Sequence, residues 1–112
     1  MRVTIYHNPK CSKSRQTLAI LKKNGIEPEV VEYLSSPLNA AELKNVLRKL
    51  GIAPRDILRS KEAKEEGIDQ SLDGDDLISV IASHPRVMQR PIIVQGDKAV
   101  IGRPPENVLN IL

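Results

Sequence analysis

The chain of 112 residues has one cysteine, two tyrosines, and neither phenylalanine nor tryptophan. A single cysteine excludes an internal disulfide and suits a reducing compartment, so we expect a cytoplasmic protein. With so few aromatic side chains, there is no platform on which nucleic-acid bases could stack. No apolar run is long enough to span a bilayer, and none precedes the first predicted strand as a signal segment would. We therefore expect neither a nucleic acid nor a membrane as a partner.

Several kinds of functional site are also missing from the sequence. No cluster of cysteine and histidine has the spacing of a zinc site, and no glycine-rich loop could hold a phosphate, so we expect no metal and no bound cofactor. A phosphatase-type loop needs its cysteine and arginine six positions apart, but Thr17 stands where the arginine would be. A dithiol redox motif needs a second cysteine where this chain has Ser14.

Acidic residues are absent from the first 26 residues, which contain six lysines and arginines. They are concentrated instead in residues 61–76, which hold seven aspartates and glutamates against two lysines. Because the formal net charge is only +3, its distribution matters more than its size. A basic region around the cysteine favours a small anionic ligand over a polynucleotide.

The single cysteine, Cys11, follows a short apolar strand that ends at Asn8-Pro9. Ser12 is a competent N-cap for the helix that comes next. The sulfur is therefore expected at a helix N-terminus, where unpaired backbone N–H groups and the positive end of the helix dipole favour thiolate over thiol.

Three cations, Lys10, Lys13 and Arg15, add positive charge near Cys11. We interpret Cys11 as a reactive, catalytic thiol. The alternative is a small hydrophobic residue of the core, which is the commoner role of a free cysteine. From Pro9 to Ser14, however, every residue except Cys11 is polar, charged or proline, which is a poor wall for a core pocket.

The first half of the chain predicts a strand, a helix from about Ser12 to Asn24 and a second strand from Glu29 to Leu34. A unit of this length favours parallel strands. Residues of about 39–84 then form a helical insertion. Asn39 and Glu42 have the spacing of a capping box, and Asp73 caps a later helix whose Leu77, Val80 and Ile81 are expected to face inward.

Residues 91–94 and 99–101 predict two strands joined by a tight turn around Gly96-Asp97. A terminal helix should begin near Pro104, with Val108, Leu109 and Leu112 packed inward. The order of elements predicts an α/β fold, a four-stranded mixed sheet with flanking helices and a helical insertion, which is the thioredoxin-like arrangement. We expect one domain over residues 1–112.

Two arginines flank the predicted hairpin, Arg90 before Pro91 and Arg103 before Pro104. Pairing of the strands would bring both to the same end of the sheet, and the bond before Pro91 is where this type of fold is expected to have a cis peptide. Arginine binds tetrahedral oxyanions in a bidentate manner, so the pair predicts a site for a phosphate-like species. The alternative is that both are solvated surface residues.

Spacing alone leaves the other candidates undecided. The pattern around Arg59 does not say whether its side chain points inward. His7 could assist proton transfer or orient the cysteine loop, although a histidine at a strand end is more often a hydrogen-bonded structural residue. His84, just before Pro85, is interpreted as a helix-end residue.

The chain resembles the glutaredoxin-coupled arsenate reductase family over nearly its whole length, from Val3 to Leu112. In length the chain looks like the shorter chromosomal members. The motifs that carry the resemblance are Tyr6-His7-Asn8-Pro9 with Cys11 and Ser14-Arg15, Leu58-Arg59, Arg90-Pro91-Ile92 and Gly102-Arg103-Pro104.

The resemblance implies an enzyme in which Cys11 attacks arsenate or a similar oxyanion. It implies oxyanion binding by Arg59, Arg90 and Arg103. His7, Asn8 and Ser14 fall on family positions that shape the cysteine loop and help to lower the thiol pKa. The resemblance also implies glutathione as co-substrate and glutaredoxin as partner in reducing arsenate to arsenite.

One thiol can supply only half of the disulfide that a two-electron reduction must form. We therefore expect the second sulfur to come from glutathione, giving a mixed disulfide with Cys11 that glutaredoxin resolves. Two other functions on the same scaffold stay open. A regulatory binding protein of this type carries a Cys-x-x-Cys switch, against which Ser14 argues, and a monothiol transferase has little use for three converging arginines.

Overall fold

The computed structural model of the protein describes residues 2–112, with two strands before a run of helices and two strands after it. The strands are β1 (Val3–His7), β2 (Glu29–Glu32), β3 (Ile92–Gln95) and β4 (Lys98–Ile101). The α-helices are α1 (Ser12–Lys23), α2 (Ala40–Leu50), α3 (Ser60–Glu65) and α4 (Gly74–Ser83). Short 3₁₀ helices cover Pro54–Ile57, Pro85–Val87 and Pro105–Ile111.

The four strands form one mixed sheet in the order β2-β1-β3-β4. β1 pairs with β2 in parallel, with Ile5 opposite Val30, as a strand, helix and strand in succession predict. β3 runs antiparallel to β1, with Ile93 opposite Ile5, and continues through a tight turn into β4. The predicted mixed sheet with flanking helices is therefore confirmed.

Packing divides the chain into two compact units. The first contains the residues up to Ser36 together with Arg90–Leu112, and so holds the whole sheet, α1 and the last 3₁₀ helix. The second is Pro37–Gln89, which contains α2, α3 and α4. The predicted insertion of about 39–84 falls within this second unit, and the single domain over 1–112 stays a prediction.

The core of the first unit lies between the sheet and the elements that pack on it. Alternate residues of β1 are buried, which is the pattern of a strand with one face against a core. Burying each large aliphatic side chain contributes about 1.5–3 kcal/mol. The buried cluster consists of Val3, Ile5, Leu21, Ile93, Val108 and Ile111.

Residues that the sequence predicts as caps begin and end helices of the second unit. Asn39 accepts a hydrogen bond from the Glu42 N–H at 2.8 Å, and the Asn39 N–H donates to the Glu42 carboxylate at 3.0 Å. This confirms the predicted capping box of α2, which Gly51 ends in a left-handed conformation. Asp73 caps α4 by accepting from the Gly74 N–H at 2.8 Å.

Three details of the predicted elements are wrong. β2 ends at Glu32, and Leu34, predicted to lie in the strand, is exposed. In α4 the buried residues are Leu77, Ile78 and Ile81, with Val80 only half-buried.

The third error concerns the C-terminal helix, which is a 3₁₀ helix, Pro105–Ile111. Its buried residues are Pro105, Val108 and Ile111, whereas Leu109 and Leu112 are exposed. A 3₁₀ helix has three residues per turn, so residues three apart share a face, and the α-helical spacing assumed from the sequence selects the wrong leucines. Along the described part of the chain, no helix is both long enough and apolar enough to cross a membrane.

Candidate active site

Cys11 lies at the junction of the loop after β1 and the first turn of α1. Its own backbone is the N-cap of the helix, with φ −93° and ψ 123°, and its C=O accepts the first helical hydrogen bond from the Arg15 N–H at 3.0 Å. The prediction of Ser12 as N-cap is therefore wrong by one residue. The Cys11 N–H donates to the Asn8 carbonyl at 3.0 Å, which closes the loop. The thiol thus occupies the position from which an N-cap side chain faces the free amides of the first turn.

The surroundings of Cys11 hold the pKa of its thiol below the ordinary value. Partial burial is the largest influence and would raise the pKa, but four others outweigh it. The N–H groups of Ser14 and Lys13 favour the thiolate, although neither makes a well-aligned capping hydrogen bond to the sulfur. The side chain of Arg90 adds a hydrogen bond and its positive charge. The helix amides and Arg90 thus lower the pKa, rather than the side-chain charges of Lys10, Lys13 and Arg15 that the sequence suggested.

His7 and Ser14 form a buried pair beneath the cysteine loop. The His7 Nδ1 and Ser14 Oγ atoms are 2.6 Å apart, and both residues are buried. The Ser14 hydroxyl oxygen also accepts from the Asn8 N–H at 3.1 Å. The Asn8 side chain in turn accepts from the Lys10 N–H at 3.0 Å. The loop that carries Cys11 is therefore fixed to β1 and to the first turn of α1 by the residues predicted to shape it.

The pKa of His7 lies below its ordinary value. Burial is the main cause, since it disfavours the charged imidazolium, and the positive charge of Arg15 acts in the same direction. Glu32, opposite His7 in the β1–β2 register, partly opposes them. Burial therefore favours the neutral form of His7, which fits a residue that holds the loop through a hydrogen bond.

Arg90 and Arg103 meet at one end of the sheet, as the hairpin predicts. The Arg103 Nε donates to the backbone carbonyl of Arg90 at 2.7 Å, and the Arg103 Nη2 lies 3.7 Å from the Cys11 Sγ. The peptide bonds Arg90-Pro91 and Arg103-Pro104 are both cis. Both arginines are half-buried. The thiol and two guanidinium groups therefore lie together within the first unit.

Arg90 has an additional feature, since its Nε atom is buried and has no hydrogen-bond partner among the described residues. A buried donor without a partner costs on the order of 1–3 kcal/mol. The Arg90 side chain also donates a hydrogen bond to the Cys11 sulfur, and the Arg103 Nη2 lies 3.7 Å from the same atom. The arrangement can therefore bind a tetrahedral anion and present a thiolate to its central atom.

Gly102 lets the end of β4 approach α1 closely. A Cβ atom at this position would lie 2.7 Å from the Thr17 Oγ1 and 2.8 Å from the Pro91 Cγ. The Gly102 N–H donates to the Pro91 carbonyl at 2.9 Å, which ties the two arginine-bearing segments together. Gly102 belongs to the Gly-Arg-Pro motif, but the sequence does not show why a glycine is needed there. The close contact that requires it joins residues far apart in the chain.

Arg59 belongs to the second unit. Its N–H donates to the Val87 carbonyl at 2.7 Å, and its Nε pairs with the Glu62 carboxylate at 2.8 Å. Both side chains are largely buried, with 21% of Arg59 and 13% of Glu62 exposed. Sequence reasoning missed Glu62, although its position three residues after Arg59 was a usable signal. The role of Arg59 in oxyanion binding stays a prediction.

The fold and this site together define a thioredoxin-like protein with one thiol at a helix N-terminus and two arginines beside it. The model described as the ArsC family matches residues 6–111. The chain therefore belongs to the ArsC family.

Known proteins resemble the chain over almost its full length. The arsenate reductase of Neisseria meningitidis serogroup B is 46% identical, covering 98% of this chain and 97% of its own. The uncharacterised protein YfgD of Escherichia coli K12 is 51% identical, covering 99% and 97%. The solved structure of an arsenate reductase from Vibrio cholerae is 46% identical and superposes with a TM-score of 0.94 over 100% of this chain and 98% of its own.

Proposed function

We propose that this protein is an arsenate reductase that uses Cys11 as its nucleophile and takes its electrons from glutathione and glutaredoxin. Membership in the ArsC family and the arsenate reductases among its relatives support the reaction. The coupling to glutathione is argued from the chemistry of a chain with one cysteine.

The observation that carries the proposal is the placement of two guanidinium groups at the sulfur of Cys11. The Arg103 Nη2 is 3.7 Å from the Sγ, and Arg90 contributes a hydrogen bond and positive charge to the same thiolate. Arsenate at neutral pH is an oxyanion with tetrahedral geometry, so it matches the bidentate donors of arginine.

The reaction begins with attack of the Cys11 thiolate on arsenic. A sulfur–arsenic bond forms, and one arsenate oxygen leaves as water after protonation. A glutathione thiolate then attacks the Cys11 sulfur, forming a disulfide, while the sulfur–arsenic electron pair remains on arsenic. Arsenic is thereby reduced by two electrons from the pentavalent to the trivalent state, and two thiols are oxidised to one disulfide.

Glutaredoxin completes the cycle by thiol–disulfide exchange. Its thiolate attacks the glutathione sulfur of the mixed disulfide, so Cys11 leaves as a thiolate and glutaredoxin carries the glutathione. Because the pKa of Cys11 is lowered, it is a good leaving group in this step. A second glutathione regenerates glutaredoxin.

The supporting residues have separate roles in this proposal. His7, Asn8 and Ser14 hold the cysteine loop, and Arg59 is a third oxyanion-binding arginine. A protein that works through a free thiol and glutathione suits the reducing conditions of the cytoplasm.

A coupled assay tests the proposal. The purified protein receives arsenate, glutathione, glutaredoxin, glutathione reductase and NADPH, and oxidation of NADPH is followed. We expect turnover that requires arsenate, glutathione and glutaredoxin together, and that is lost in Cys11→Ser. Thioredoxin with thioredoxin reductase in place of the glutathione system is the matched comparison. No turnover with any reductant would reject the arsenate reductase, and turnover with thioredoxin alone would reject the coupling.

A further inference from the structure

We infer that Asn107 is a positioning residue for Arg103, and through it for the thiol of Cys11. Asn107 lies in the C-terminal 3₁₀ helix, outside every motif that carries the family resemblance. The inference deepens the proposed function, because it rests on the role of Arg103 at the thiol.

The side-chain amide of Asn107 holds the segment that carries Arg103. Its Nδ2 donates to the Arg103 carbonyl at 3.0 Å and lies 3.4 Å from the Ile101 carbonyl. Both partners are carbonyl oxygens, which accept and cannot donate. The amide nitrogen, rather than the amide oxygen, must therefore face them, so the orientation of the side chain follows from its neighbours.

The backbone of Asn107 strengthens this contact. Its N–H donates to the Pro104 carbonyl at 3.0 Å, which fixes the first turn of the 3₁₀ helix directly after the arginine. One face of this helix is anchored in the core by Val108 and Ile111. The amide of Asn107 is thus presented from a rigid element to the short connection between β4 and the helix.

The backbone of this connection is held by a small set of hydrogen bonds, and the Asn107 side chain makes one of them. The Arg103 N–H donates to the Ile101 carbonyl at 2.9 Å, and the Gly102 N–H to the Pro91 carbonyl at 2.9 Å. The Arg103 carbonyl has the Asn107 side chain as its hydrogen-bond donor. A hydrogen bond from the Arg103 Nε to the Arg90 carbonyl then orients the guanidinium group. In this orientation the Arg103 Nη2 lies 3.7 Å from the Cys11 sulfur. Without the Asn107 amide, the backbone of Arg103 would lose this hydrogen bond, and the orientation of the guanidinium group depends on that backbone.

The test uses Asn107→Leu, which keeps the branched shape of the side chain, removes its hydrogen bonds and adds no charge. The alkylation rate of Cys11 is measured against pH. The Arg103 Nη2 lies 3.7 Å from the Cys11 Sγ, so a displaced guanidinium group should raise the midpoint of the profile. The alkylation rate below the midpoint should fall by up to roughly 3- to 10-fold, since the loss of one neutral hydrogen bond limits the effect. The KM for arsenate should rise by a similar factor. Asn107→Ser, whose hydroxyl is too short to reach the Arg103 carbonyl, provides a second variant if the leucine variant does not fold.

Asn110→Leu is the matched control, since Asn110 lies in the same helix and is exposed. It should leave the alkylation profile and the KM unchanged. The decisive comparison repeats Asn107→Leu in an Arg103→Ala background, where we expect no further change in the alkylation profile. An unchanged profile in both Asn107 variants, or an equal shift with Arg103 absent, would overturn the inference.

Alkylation does not depend on arsenate reduction. Failure of the proposed function would therefore appear as a wild-type protein without arsenate turnover, and the alkylation profiles would still decide the role of Asn107.

Discussion

The Nη2 of Arg103 lies 3.7 Å from the sulfur of Cys11, although the two residues are 92 positions apart. The contact exists because β3 lies between β1 and β4 in the sheet, so the end of β4 and the start of α1 are at the same end. The arginine is further fixed by the Arg90 carbonyl. The thiol near the N-terminus therefore contacts a side chain that is supplied near the C-terminus.

The first prediction concerns the ionisation of Cys11. The helix amides and Arg90 favour the thiolate, so titration followed by thiolate absorbance should give a pKa below the free value of about 8.5. Phosphate or arsenate should raise this pKa, because a bound anion opposes the negative charge on sulfur. Cys11→Ser provides the baseline. A ligand-free pKa at or above the free value would contradict the activation of the thiol.

The second prediction concerns the geometry of the arginines. Arg90→Lys and Arg103→Lys keep the positive charge but lose the planar set of donors that binds an oxyanion. We expect kcat/KM for arsenate to fall roughly 10-fold or more in each, as expected when a charged hydrogen bond worth about 1.5–3 kcal/mol is lost. Thermal unfolding should change little.

Arg86→Lys is the control for these variants, since Arg86 is an exposed residue paired with Glu65 and Glu66. It should behave as wild type. Arg59→Lys tests separately whether Arg59, the predicted third arginine, takes part in oxyanion binding. Wild-type turnover in the Arg90 and Arg103 variants would show that these arginines do not bind the substrate.

The sequence predicts a structural feature better when the residues that form it are close together in the chain. The capping box of Asn39 and Glu42 was predictable because it joins residues only three apart. The Arg90 and Arg103 pair was also predictable, since a hairpin with a tight turn brings its two outer ends together. Both inferences use geometry that a short stretch of chain determines.

Features that depend on tertiary packing were not predictable in the same way. The C-terminal segment is a 3₁₀ helix with Ile111 buried, whereas its leucines suggested an α-helical face. The place of Cys11 as N-cap depends on the loop closed by the Asn8 carbonyl. The positioning contact of Asn107 could not be read from sequence at all, because an asparagine in a C-terminal turn has no distinctive pattern.

The third prediction concerns Gly102. Gly102→Ala would place its Cβ within 2.8 Å of two atoms, the Thr17 Oγ1 and the Pro91 Cγ, so α1 or the hairpin must shift. We expect a loss of about 1–3 kcal/mol in the free energy of unfolding, measured by urea denaturation. The double variant Gly102→Ala with Thr17→Ala removes one of the two clashes and should recover part of the loss. A Gly102→Ala protein as stable as wild type would show that the contact is not tight in solution.

The fourth prediction concerns stability and pH. The pKa of His7 is lower in the folded protein than in the unfolded chain, so the unfolded state binds a proton more readily. The contribution of His7 to stability is complete above the unfolded pKa of about 6.5 and is lost progressively as the pH falls from there through the lower folded pKa.

Urea denaturation of wild type and His7→Gln over this range measures the effect. Glutamine can retain a hydrogen bond to Ser14 but does not titrate. The stability difference between the two proteins should therefore change in favour of His7→Gln as the pH falls. Parallel pH profiles would show that His7 is not buried in its neutral form.

The last prediction concerns the oxidised intermediate. Reduction of arsenate requires a disulfide, and Cys11 has no second cysteine in the chain with which to form it. With glutathione present and glutaredoxin omitted, the proposed reaction should stop after one turnover at the mixed disulfide. Acid quenching followed by mass spectrometry should then find the protein heavier by one glutathione less two hydrogens, with peptide mapping placing the addition on Cys11.

The matched sample omits arsenate and should remain unmodified, because glutathione itself is not an oxidant. Adding glutaredoxin to the trapped protein should restore the original mass, since the thiolate of Cys11 is a good leaving group. Robust turnover without glutathione, or an adduct that forms equally without arsenate, would contradict the mechanism. In the first case the second sulfur comes from another protein, and in the second the adduct is a side reaction of a reactive thiol.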